Sequence, residues 1–87
     1  MIFRKNVGQF LETDIDGEAV LMKVDTGQFN ALRGTGLVIW QAIDGHRDVA
    51  AIASLLAECY DISPQTCAAE VDAFLDELKH AGFLVAA

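Results

Sequence analysis

Phe10 to Ile15 and Glu18 to Val24 alternate on either side of Asp16-Gly17. A period of two marks strands with one face turned to a core. Asp-Gly between such strands signals a type I′ hairpin, because both turn positions need positive φ. A two-residue loop pairs Ile15 with Glu18, Thr13 with Val20 and Leu11 with Met22. That face is the more apolar and is expected to cover the core. Phe10, Glu12, Asp14, Ala19, Leu21 and Lys23 share the opposite face, mixed as in a half-solvated sheet. Asp25-Thr26-Gly27 predicts a second turn, with Gly27 in the left-handed region of a three-residue loop. Gln28 to Leu32 follows as a third strand. Its apolar residues do not alternate cleanly, so its register stays open and a bulge is allowed. The last strand of a meander has a free edge unless something covers it.

Helical periodicity takes over after Leu32. Thr35 is placed to cap a first helix running to about Asp44. Leu37, Ile39, Trp40 and Ile43 form its apolar stripe, Trp40 serves as a core anchor, and Gly45 ends it. Asp48 caps a second helix, where Val49, Ile52, Ala53 and Leu56 recur at helical spacing. Ser63-Pro64 is a cap followed by proline at the first helical position, which starts a third helix. Cys67, Val71, Phe74 and Leu78 fall on its core face, with Ala68 and Leu75 beside them. Gly82 stops it and Phe83-Leu84-Val85 folds back. Residues 1–9 read as a loosely held arm. The fold class is α+β, a three-stranded antiparallel sheet followed by three helices, similar to a winged helix-turn-helix.

The chain has 87 residues, is 53% hydrophobic and carries a net charge of −7, the profile of one globular domain. A domain of this size buries roughly 60–65% of its unfolded surface. That leaves little room for a deep cleft beside the core and favours a binding module over an enzyme. Six Lys and Arg are scattered along the chain, whereas nucleic-acid binding needs them clustered. No secretory signal and no membrane span is present, which points to the cytoplasm. There, Cys59 and Cys67 stay reduced and act as small apolar residues.

Chemistry-bearing patterns are sparse. His46 and His80 have no partner at metal-ligand spacing, and the cysteine spacing fits no zinc site. Ser54 and Ser63 read as a helix residue and a cap. Gly34-Thr35-Gly36 is a loop-to-helix junction rather than an anion site. Glu70, Asp72, Asp76 and Glu77 form a solvated helix face. Neither catalysis nor a cofactor is expected.

One ordered set of residues resembles the PqqD-like family. The set is Asp25 and Gly27, then Phe29, Leu32, Gly36, Ile39-Trp40, Asp44-Gly45, Phe74-Leu75, Leu78 and Gly82-Phe83-Leu84. It covers roughly residues 15–85. The chain departs from the family pattern at Arg33, where asparagine is usual, at Phe29 in place of tyrosine, and at Val71-Asp72 in place of Asp-Val. The resemblance implies a standalone recognition element that holds the leader of a ribosomally made precursor peptide for a modifying enzyme. In such modules the leader adds as a strand to the third strand and lies in a groove beside the third helix. Carried over, Phe29, Asn30, Ala31 and Leu32 form one wall. On the helix, Ala68, Asp72, Leu75 and Lys79 share one flank, and Glu70 and Glu77 mark the other. The implied partners are the precursor and an enzyme such as a radical-SAM enzyme or a peptidase, with no nucleic acid and no membrane. A homodimer is compatible with this. The competing class is a winged-helix nucleic-acid binder, whose reading helix would carry four carboxylates against Lys79.

Overall fold

Short-range signals set most of the element ends in the computed structural model, which describes residues 2–61 and 63–87. The side chains of Cys59 and Pro64, and with them the expectation for Cys59, lie outside the described part. Strands β1 (Phe3–Lys5), β2 (Phe10–Ile15), β3 (Glu18–Lys23) and β4 (Phe29–Leu32) precede helices α1 (Gly34–Ala42), α2 (Val49–Tyr60) and α3 (Pro64–His80), and β5 (Leu84–Ala86) ends the series. The antiparallel sheet β2-β3-β4 and the three helices match the expected α+β class.

Asp16 and Gly17 both have positive φ, 51° and 80°, and the register is the one that a two-residue turn dictates, Ile15 opposite Glu18 and Leu11 opposite Met22. Asp48 accepts from the Ala51 amide and Ser63 from the Thr66 amide, capping α2 and α3. At the end of α3, Gly82 donates to the Lys79 carbonyl and Phe83 to that of Leu78. With Gly82 at φ 91°, this is a Schellman stop. Asp44 is outside α1, which ends at Ala42. Its carboxylate accepts from the amides of His46 and Arg47, and those bonds hold its pKa below the usual carboxylate value.

Three expectations are corrected. Residues 2–9 are not a loose arm. β1 pairs antiparallel with β5, and Phe3 is buried, so the start of the chain closes on its end. Thr35 does not cap α1. The chain turns sharply at Gly34, φ 58°, straight into the helix, which leaves Arg33 at the cap position with no side-chain bond and Thr35 inside the first turn. The sheet also presents its other face to the core. Phe10, Ala19 and Leu21 are buried, while Leu11, Ile15 and Met22 are exposed. The reason is tertiary. Phe10 meets Trp40 and Phe83 edge-on, with ring centroids 5.5 and 5.6 Å apart, and Ala19 and Leu21 are fully buried on the same face.

Trp40 is the largest fully buried side chain, as expected of a core anchor. The Lys5 ammonium lies 4.5 Å over its ring, a cation–π contact that ties β1 to the core. Cys67, Val71, Leu75 and Leu78 supply the α3 layer of the same core.

Candidate functional site: a free strand edge beside α3

β4 is the last strand of its sheet, and its register decides which backbone groups it offers. Ala19 lies opposite Leu32, Val20 opposite Ala31, Leu21 opposite Asn30 and Met22 opposite Phe29, without a bulge. The Lys23 amide donates to the Gln28 carbonyl at 2.8 Å. In an antiparallel ladder, bonded and non-bonded pairs alternate. Lys23/Gln28 is a bonded pair, so Leu21/Asn30 and Ala19/Leu32 are bonded pairs as well. The N–H and C=O groups of Phe29 and Ala31 therefore point away from β3, along the free edge. The loop before β4 has four residues, Val24 to Gly27, rather than three, and Gly27 takes the left-handed conformation at φ 74°. That added residue sets the phase of β4.

α3 comes near the chain on either side of β4. A Cβ on Gly36, just past β4, would lie 3.3 Å from the Phe74 ring. At the other end, a Cβ on Gly82 would lie 2.6 Å from the Lys23 ammonium. Lys23 pairs with Gln28, where β4 begins. Phe74 to Gly82 spans ~12 Å of helix and Gln28 to Leu32 ~13 Å of strand, so this part of α3 runs in the sense opposite to β4 between the two points that flank it. The ammonium beside the C-terminus of α3 also suits the helix dipole.

Helical spacing from Phe74 puts Glu70, Glu77 and Ala81 on the flank that shares this neighbourhood. Phe74 is half-buried and both glutamates are exposed, so the flank offers an aromatic floor and a negative wall. The other flank faces elsewhere. Ala68 and Gln65 line a shallow cleft against Ala50, Ala53 and Ser54 of α2. Leu75 is fully buried, and Asp72 and Lys79 are exposed on the α2 side of the core stripe. Of the residues singled out in the sequence, the structure brings Phe29, Asn30, Ala31 and Leu32 together on one edge. It does not bring Ala68, Asp72, Leu75 and Lys79 to them. The helical periodicity places Phe74 on the core stripe alone. Its place between Glu70 and Glu77 was the signal that it sits at a border.

Along the edge, side chains divide between the two sides of the sheet. Phe29 is 67% exposed and stands on the outer face with Ala31, while Leu32 is buried and Asn30 half-buried on the helix side. No group of three or more His, Cys, Asp and Glu able to hold a metal occurs among the described residues. Among them, too, no helix is long and apolar enough to cross a membrane.

A family profile described as coenzyme PQQ synthesis protein D (PqqD) matches residues 18–84, from β3 into β5. The chain belongs to the PqqD family. Two solved structures share its fold. One, described as lasso peptide synthetase B1 complexed with the leader peptide, has a TM-score of 0.86 at 21% identity, covering 98% of this chain and 99% of that one. The other, TbiB1 in complex with the TbiA(beta) leader peptide, has a TM-score of 0.82 at 22% identity over 93% of both chains. No curated protein matches the chain.

Proposed function

We propose that this PqqD-family chain is a cytoplasmic, non-catalytic recognition element. It holds the leader of a ribosomally made precursor peptide as an added strand on β4 and presents it to a modifying enzyme, such as a radical-SAM enzyme or a peptidase. The observation that carries this is the outward phase of Phe29 and Ala31 on an edge that no strand pairs among the described residues. An open edge is a ready template for strand addition. Both structures of like fold are described as leader-peptide complexes. Each added backbone bond nets only about 0.5–1.5 kcal/mol, and a flexible peptide must be ordered to make it. Side chains entering the groove by Phe74 supply the remainder, for an affinity of roughly −8 to −10 kcal/mol, micromolar or somewhat tighter. A nucleic-acid role is disfavoured because the exposed face of α3 carries Glu70, Asp72, Asp76 and Glu77, which repel phosphate.

Amide hydrogen exchange tests the proposal. In the free domain, the Phe29 and Ala31 amides exchange fast and the Asn30 amide slowly. With the precursor's leader bound, Phe29 and Ala31 become protected. Binding that leaves both amides exchanging fast contradicts strand addition at β4.

A further inference from the structure

The sheet has an outer face that leader binding leaves unused. Leu11, Ile15, Met22, Val24 and Phe29 are each 38–67% exposed there. Cross-strand pairing makes them one surface, with Leu11 opposite Met22 and Met22 opposite Phe29. Among the strand positions of this face only Glu18 is charged, with Arg33 just past β4. A contiguous exposed apolar patch on a small acidic domain marks an interaction site.

We propose that this outer face is the docking surface for the enzyme that modifies the bound precursor, and that the enzyme meets it with an apolar patch ringed by Lys and Arg. The proposal rests on the leader-binding role above. Charge complementarity identifies the occupant. Exposed Asp16 and Asp25 stand in the turns at the two ends of the face and half-exposed Glu18 on it, against Arg33 as the one cation there. Lys23 belongs to the inner face, over Gly82, and lies 3.9 Å from Asp25. A second copy of the chain would set acids against acids at a net charge of −7 each. A basic-rimmed partner gains where a second copy loses.

The face is continuous with the leader edge, because Phe29 and Ala31 belong to both. A leader strand on β4 places alternate side chains beside them and widens the face by one strand, ~4.8 Å. The enzyme therefore binds the leader-loaded domain more tightly than the free one.

The test uses the full chain, the precursor and the purified enzyme that modifies it, with Leu11→Glu and Leu11→Lys. Leu11 lies two strands from the β4 edge. Calorimetry should show leader affinity within about twofold of wild type for both variants, since neither touches the edge. Mass spectrometry at limiting enzyme should show domain-dependent modification reduced at least about tenfold by Leu11→Lys and less by Leu11→Glu. Added enzyme should restore both, and added NaCl should weaken the wild type. Thermal melts confirm folding, and Ile15→Lys replaces Leu11→Lys if that variant unfolds. Unchanged modification with intact leader binding overturns the docking proposal alone. Failure of the wild type to bind leader overturns the recognition role beneath it. Lost leader affinity in the Leu11 variants makes the face part of the peptide site and overturns the proposal. So does a wild-type dimer in sedimentation that Leu11→Lys dissolves.

Discussion

The two faces of the β2-β3-β4 sheet are built on the same alternation and have opposite fates. The inner face is the less apolar, with Glu12, Asp14, Lys23 and Asn30 among its side chains, yet Phe10, Ala19, Leu21 and Leu32 are buried there. On the outer face, Leu11, Ile15 and Met22 lie directly across from one another or along one strand, and all are exposed. Summed hydrophobicity did not choose the side. Complementary shape did, through Phe10 against Trp40 and Phe83. The outer side chains remain available for contacts with other molecules.

Substitutions that remove the inner contacts should have the largest effects. Trp40→Ala empties the centre of the core and should cost about 3–5 kcal/mol in chemical denaturation, much of the stability of a small domain. A loss under about 1 kcal/mol would mean that Trp40 does not anchor the inner face. A matched pair sharpens the contrast, since one residue type stands on both faces. Leu21→Ala should cost about 2–5 kcal/mol, whereas Leu11→Ala should stay near the ~0.5 kcal/mol typical of surface changes. Equal costs would mean that the outer face is covered in solution.

The smallest effect belongs to a group on neither face. The Asp44 pKa is depressed in the folded protein by the amide bonds from His46 and Arg47. Its contribution is therefore present above the unfolded carboxylate pKa and is lost as pH falls through the lower folded value. Asp44→Asn should remove a small part of the acid destabilisation seen in urea melts at decreasing pH. An unchanged pH dependence would show that these bonds add nothing.

What could be read from the sequence was whatever a few adjacent residues decide. Asp16-Gly17 specified both turn and register, Asp48 and Ser63-Pro64 the helix starts, and Gly82 the end of α3. The resemblance, not the alternation, singled out β4 as the proposed docking strand. What stayed hidden is settled by distant partners or by a single-residue count. The side of the sheet depends on Trp40 and Phe83, far along the chain. The pairing of β1 with β5 joins the two ends, and nothing local in residues 2–9 announces it. The phase of β4 depends on whether the loop at Gly27 has three residues or four, since one residue exchanges inward and outward groups. The flank of α3 beside β4 followed only from Phe74 touching Gly36 and Gly82 touching Lys23.

That phase gives the most direct test of leader docking on β4. Proline removes the amide donor and is tolerated in strands only on an edge. Ala31→Pro removes an outward donor, so the domain should melt near the wild-type temperature while leader affinity, measured by calorimetry, falls at least about tenfold, roughly 1.4 kcal/mol. Asn30→Pro removes the donor facing Leu21 and should chiefly destabilise the fold. If Ala31→Pro folds and binds leader as the wild type does, β4 is not the docking edge and the account is wrong.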